Sequence, residues 1–271
     1  MKNRIQLNEH LAWTYSVNPH MVVTGKNGSG KTQFLYYLIL ECAHLTSEIV
    51  ILDGKNGDLS NLTAVKIGRT TEEIVRIFEE MISEMKRRIS KIQELDLGNI
   101  LATEVGYEPV FCFIDELAAI MINARKTDRK NKENNKENNK NKSWQKLRED
   151  HAISIMESLS ELILIARQSS IHLCICSQFF PAKLLEGSEV RSNTSIKILL
   201  GSQTPQEYNM LNLVQDQLPP GTFSEIGAGI IMIDNLNWTK ARYFETPFIT
   251  FNNCTPNEIL KKRILEFRDS K

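Results

Sequence analysis

Gly25-Lys26-Asn27-Gly28-Ser29-Gly30-Lys31-Thr32 satisfies the phosphate-loop pattern G-x-x-x-x-G-K-[ST] at every constrained position. Glycines let such a turn curl until successive N–H groups converge on phosphate oxygens. A helix beginning near Lys31 aims its positive end at the same place. The Lys31 ammonium then reaches the β- and γ-phosphates, and the Thr32 hydroxyl is a ligand for Mg²⁺. The chemistry expected is binding of ATP with Mg²⁺. A glycine-rich turn can match the pattern by accident, but here an apolar run over 21–25 precedes it and helical spacing follows.

A second set of acidic and polar residues matches the first. Val110-Phe111-Cys112-Phe113-Ile114 reads as a buried strand that delivers Asp115 and Glu116 at its C-terminal end, where parallel α/β sheets bind ligands. Asp115 would hold the Mg²⁺ through water, and Glu116 would polarise the water attacking the γ-phosphate. The same pair could instead cap a helix N-terminus. Gln178 follows the run 171–177, so its amide can bridge γ-phosphate and lytic water. Arg167 stands at the end of the preceding helical stretch. It could complement that helix dipole or act as an arginine finger on a neighbouring subunit's ATP. The residues alone leave both readings open.

Elements must hold these groups together. Apolar runs predict strands over 21–25, 49–53, 64–67, 110–114, 171–177, 195–200, 230–233 and 241–244. Helical spacing predicts helices over 31–43, 71–95, with Thr71, Glu72 and Glu73 at the start, and 150–168. Strands alternating with helices predict a mostly parallel sheet covered on both faces. The last two strands, flanking Asp234-Asn235, read as an antiparallel hairpin at one edge. The segment 125–142 has no apolar residue, eight basic and three acidic ones, and a repeated Lys-Glu-Asn-Asn. It cannot bury surface of its own and reads as a disordered insertion within a single domain spanning 1–271.

Composition bounds the alternatives. Across 271 residues, 41% are hydrophobic and 24% charged, and 33 Lys plus Arg balance 33 Asp plus Glu. Bulk positive charge is therefore not the way this chain would grip nucleic acid, although a few local contacts remain open. Its five cysteines, Cys42, Cys112, Cys174, Cys176 and Cys254, mostly lie in apolar runs. They read as buried thiols in a reducing compartment, with no metal-ligand spacing. No signal-type segment and no apolar run of about 18 residues occurs, so a cytoplasmic location without a transmembrane segment is expected.

Several segments together resemble the motor domain of the FtsK/SpoIIIE family of DNA translocases, in particular the coupling-protein branch of Gram-positive conjugative elements. Asn18-Pro19-His20-Met21-Val22-Val23 is similar to the family's lead-in to the phosphate loop. Ile51-Leu52-Asp53-Gly54-Lys55-Asn56-Gly57-Asp58-Leu59 resembles its Asp-Pro-Lys-Gly-Gly turn, with Gly54 in place of proline. Phe113-Ile114-Asp115-Glu116-Leu117-Ala118 resembles its acidic strand end. Ala166-Arg167-Gln168-Ser169-Ser170-Ile171-His172-Leu173 and Cys176-Ser177-Gln178 resemble the segment ending in Ala-Thr-Gln, and Glu245-Thr246-Pro247-Phe248-Ile249 its closing motif. Phe179-Phe180-Pro181 replaces the usual Arg-Pro. Nothing here matches the family's membrane helices or its winged-helix module.

The resemblance implies a RecA-like (ASCE) P-loop NTPase fold and a homo-hexameric ring that threads double-stranded DNA and hydrolyses ATP between subunits. It also implies Glu116 as catalytic carboxylate, Gln178 as sensor and Arg167 as finger. A relaxase or membrane-channel protein is an expected partner, able to recruit the motor to a membrane. Lys55, Lys183, Arg191 and Lys197 are pore candidates by charge and neighbourhood. Two other functions fit the same residues: a related secretion or assembly motor not acting on DNA, and a nucleotide-switched adaptor without catalysis. The intact set of Lys31, Asp115, Glu116 and Gln178 disfavours the adaptor, since a switch has no use for the lytic carboxylate.

Overall fold

A computed structural model describes residues 3–96, 98–138, 150–178, 193–211, 213, 218–219, 223–251 and 254–271, without the side chains of 134–138 and 210. A short antiparallel hairpin comes first, β1 (Arg4–Gln6) and β2 (Ala12–Thr14). There follow β3 (His20–Gly25), α1 (Lys31–Cys42), β4 (Ile49–Asp53), β5 (Lys66–Gly68), α2 (Thr71–Glu94), β6 (Val110–Asp115), α3 (Leu117–Asn138), α4 (His151–Ile165) and β7 (Ile171–Ser177). The chain continues through β8 (Ile196–Leu200), α5 (Pro205–Met210), β9 (Ala228–Ile233), β10 (Arg242–Glu245) and α6 (Pro256–Asp269).

Eight of these strands form one sheet in the order β10-β9-β8-β3-β7-β6-β4-β5. From β8 to β5 every neighbouring pair is parallel, whereas β9 runs antiparallel to both β8 and β10. The hairpin expected at the edge is therefore present, with β10 outermost. Both faces of the sheet are covered over its central strands, which is why β3, β4, β7 and β8 are buried at every position rather than alternately, whereas the edge strand β10 keeps three of its four residues exposed. Val50, Leu52, Cys112, Ile114, Leu173 and Ile175 point into a core shared with α2, α3 and α4. Their neighbours Ile49, Ile51, Phe111, Phe113, Cys174 and Cys176 point into the opposite core with α1 and α6, as the two-residue period of a strand requires.

Helix α1 is buried on nearly all sides because α6 and the β1–β2 hairpin pack on it away from the sheet. Neither covering element was expected, since β1 and β2 are three residues each and α6 has only Leu260 and Ile264 fully inside. Helix α2 is capped one residue earlier than expected: Thr70 Oγ1 accepts from the Glu73 N–H (3.2 Å), and the Glu73 carboxylate accepts from the Thr70 N–H (3.1 Å), a reciprocal capping box.

The segment 125–142 departs from its expected disorder. Helix α3 runs through it as far as Asn138, and residues 139–142 lie outside the described part. Its charged side chains are compatible with a helix already nucleated by Leu117, Ile120, Met121 and Ala124 in the core. Asp128 then gives the extension a structural task. Its buried carboxylate accepts from the backbone N–H groups of His151 (3.0 Å) and Ala152 (3.2 Å) and lies 2.6 Å from His151 Nδ1. These contacts satisfy the open N-terminus of α4; burial raises the Asp128 carboxyl, but hydrogen bonds with Asp150, His151 and Ala152 outweigh it and hold the group down at about 2.

Candidate functional site

The C-terminal ends of β3, β4, β6 and β7 lie level with one another, Thr24 opposite Ser177 and Asp53 opposite Asp115. Strand β7 is inserted between the phosphate-loop strand β3 and the acidic strand β6. The residues that end β7 are thereby set between the loop and the carboxylates. Among the described residues these ends border a cavity of about 420 Å³ lined by Asn27, Gly28, Gly30, Lys31, Thr32, Asp115, Glu116 and Gln178, together with Lys55 and Ile226. The expected binding and catalytic groups thus meet in one place, Arg167 excepted.

Two glycines fix the shape of this place. Gly30 caps α1 with φ +95°, and a Cβ there would stand 3.0 Å from the Gly227 nitrogen. The loop is braced against that turn by the Gly227 N–H, which donates to the Ser29 carbonyl (3.0 Å). Gly54 stands where a Cβ would come 2.6 Å from the Ile120 nitrogen, and its own N–H donates to the Asp115 carbonyl (3.3 Å). Proline in this chain's Gly54 position would lack that donor and meet Ile120.

Lys31 is buried, and its ammonium donates to the carbonyls of Gly25 and Lys26, the latter at 2.8 Å. Burial lowers its pKa, against the pull of Cys176, Glu116 and Asp115. Asp115 is pushed up to about 6 by burial and by its acidic neighbours Asp53 and Glu116. Glu116 is tied at both oxygens. Oε1 accepts from Ser177 Oγ and from the Gln178 N–H, each at 3.1 Å, and Oε2 lies 3.0 Å from Lys55 Nζ. Burial would raise the Glu116 carboxyl, but the Lys55 ammonium and the other donors outweigh it and hold it below the usual carboxylate range. Glu116 has φ +57°, a left-handed bend that turns the chain from β6 into α3 and carries strain such sites often hold. Gln178 spans the cavity: its N–H meets Glu116 while Nε2 donates to Asn27 Oδ1 (2.6 Å).

The donor set suits a hard divalent cation. The Thr32 hydroxyl and the Asp115 carboxylate face one cavity, and Asp53 beside Asp115 is fully buried, accepting from Ser60 Oγ (2.6 Å) and the Lys55 N–H (2.9 Å). Ser29 Oγ is buried without a hydrogen-bond partner, an orphaned polar atom within the loop itself. No group of three or more metal-ligating His, Cys, Asp or Glu side chains occurs among the described residues.

Other expectations fall elsewhere. Arg167 is exposed in the turn before β7, its Nε donating to the Ser16 carbonyl (3.2 Å). It is at the opposite end of β7 from Gln178, about 20 Å away by strand rise, and does not reach this chain's own cavity. Lys55 belongs to the cavity, and Lys197 is buried against Asp234 (2.5 Å), so neither stands as a free surface charge. Lys183, Arg191 and 179–181 lie outside the described residues. Sequence reasoning passed over Asp53 and Ser177 as site residues, because only the strand order brings them to the carboxylates, and Ile226, which the turn before β9 sets beside Gly30 of the phosphate loop. No helix among the described residues is long and apolar enough to cross a membrane.

A parallel sheet with this phosphate loop, an acidic strand end and one strand between them defines a RecA-like P-loop NTPase fold. The chain belongs to the FtsK/SpoIIIE family, whose model matches residues 1–181. It is 27% identical over 214 residues to the FtsK domain-containing protein YdcQ of Bacillus subtilis, covering 76% of this chain but only 39% of that protein. In fold it is similar to the pCW3 conjugation coupling protein TcpA, solved as a monomer with ATPγS, with a TM-score of 0.70, 17% identity and coverage of 96% of this chain and 70% of that one. It is likewise similar to ATPases 2 and 3 of EssC from Geobacillus thermodenitrificans, with a TM-score of 0.66, 12% identity and coverage of 96% and 46%.

Proposed function

We propose that this chain is an ATP-hydrolysing motor that moves double-stranded DNA, working as a homo-hexameric ring in DNA transfer by a mobile element or chromosome. The observation that carries the reading is the bridge made by Gln178, in contact with both the phosphate loop at Asn27 and the carboxylate of Glu116. A γ-phosphate between them would be sensed by the residue that also touches the catalytic base. In this reading Lys31 and the loop amides bind the phosphates, and Thr32 and Asp115 would hold Mg²⁺, which when bound would supply positive charge beside the phosphates. Glu116 accepts the proton of the attacking water. That TcpA is a conjugation coupling protein and YdcQ an FtsK domain-containing protein supports DNA as the cargo.

The experiment is ATP turnover with and without long duplex DNA, with particle size recorded on the same sample. Turnover is expected to rise severalfold on DNA and to lose that stimulation steeply as salt increases, since a grip through phosphates releases counterions. Turnover indifferent to DNA would instead favour a secretion motor, since the cytoplasmic domain of the type VII secretion ATPase EccC of Thermomonospora curvata is also similar in fold. Tight ATP binding with no turnover would favour an adaptor.

Arg167 enters this reading as a finger acting in trans, since it lies too far from this chain's own cavity to reach a nucleotide there. Arg167→Ala is expected to lower turnover by about 10³, the usual worth of such a finger. Mixing Arg167→Ala subunits with inactive Lys31→Ala subunits should restore part of the activity, because some interfaces then pair an intact loop with an intact arginine. A mixture no more active than its components removes Arg167 from the mechanism.

A further inference from the structure

The catalytic carboxylate is held by two kinds of contact that differ in permanence. Oε1 of Glu116 is fixed by buried groups of β7 and the residue after it, Ser177 Oγ and the Gln178 N–H. Oε2 is held by Lys55, whose side chain is 47% exposed where that of Glu116 is 7% exposed. The Lys55 backbone is anchored, its N–H donating to Asp53 Oδ1 at 2.9 Å. Its four-carbon stem therefore swings from a fixed point, and its ammonium is a compact charge with three rotatable donors. Lys55 also lines the cavity with Gly28, Gly30, Lys31 and Thr32. A terminal phosphate seated on that loop would be a second anion within the same enclosure, competing with Glu116 for one cation.

We propose that Lys55 is a positioning residue gated by the terminal phosphate: it clamps Glu116 in the arrangement seen here and passes its ammonium to the γ-phosphate of a bound triphosphate, freeing Oε2 for the attacking water. A diphosphate does not extend to the place where this exchange happens, so the carboxylate stays clamped after product forms. The lysine would thus make the base available only when there is a bond to hydrolyse. The inference rests on the reading of this cavity as an ATP site. The plainer role for Lys55 is a static ion pair that closes the β4 turn onto α3, and it predicts different binding behaviour.

The test is binding of ATPγS and of ADP to the full chain, without DNA and without turnover, expressed as the ratio of the two dissociation constants. Lys55→Met is expected to lower the preference for ATPγS by about tenfold, the scale of one charge-assisted contact, while Lys55→Arg keeps most of it. Glu116→Gln is expected to raise the preference, because Lys55 no longer has to leave a carboxylate. In the Lys55→Met background that gain should vanish. If Glu116→Gln raises the preference as much or more without Lys55, the gain is simple relief of anion repulsion and the gate is refuted. A Lys55→Met protein weakened equally for both nucleotides refutes it too, leaving the ATP site standing. Failure of every form, including the unaltered chain, to bind either nucleotide would overturn the ATP reading itself and the gate with it.

Discussion

Glu116→Gln is expected to stop ATP hydrolysis while leaving ATP bound. The substitution keeps the shape of the side chain, and the amide oxygen can still accept from Ser177 Oγ and the Gln178 N–H that hold Oε1 now. What disappears is the negative charge and the ability to take a proton from water. A positioned base contributes about 10²–10⁴ in rate, so single-turnover hydrolysis should fall by at least the lower figure. Nucleotide affinity should hold or rise, since a buried anion beside the phosphates has been removed. Quench-flow measurement of the chemical step, with retention of labelled ATP on the same protein, checks both halves. An unchanged turnover number would show that another group accepts the proton, and the pairing of Glu116 with Lys55 would then be purely architectural.

The parts of this site that follow from local chemistry were legible in the sequence. A phosphate loop needs particular residues at fixed offsets, and a buried strand ending in Asp115-Glu116 announces itself by its apolar run. The parallel sheet was legible for the same reason, because two-faced burial leaves continuous apolar segments at β3, β4, β6, β7 and β8. Lys55 was not legible in its place. As a charge near a turn it looked like a candidate for gripping DNA, and only the neighbouring positions of β4 and β6 bring it to Glu116. The extension of α3 was hidden by composition: 125–142 offers no apolar residue, yet one buried carboxylate, Asp128, ties it to α4. Helix α6 was missed because its two fully buried residues gave too little periodic signal.

Lys31→Ala carries the second large expectation, and it separates binding from folding. Lys31 is buried with a depressed pKa, so its charge already costs desolvation, partly offset by the two loop carbonyls it meets. Removing it deletes that cost along with the contacts, and the change in intrinsic stability should stay within about 1 kcal/mol. Ligand linkage is a different matter. ATP at a hundred times its dissociation constant stabilises the native state by about 2.7 kcal/mol, which raises the melting temperature of a chain this size by about 5 °C. In Lys31→Ala the ammonium that would leave Gly25 and Lys26 for the β- and γ-phosphates is gone, so that rise should shrink to nearly nothing at the same ATP concentration. Thermal unfolding of both proteins with and without Mg·ATP reads the two effects on one axis. A mutant that melted where the unaltered chain does and still gained the full ATP shift would mean that Lys31 is structural filler. The phosphate loop would then be holding its ligand by backbone amides and the α1 dipole alone.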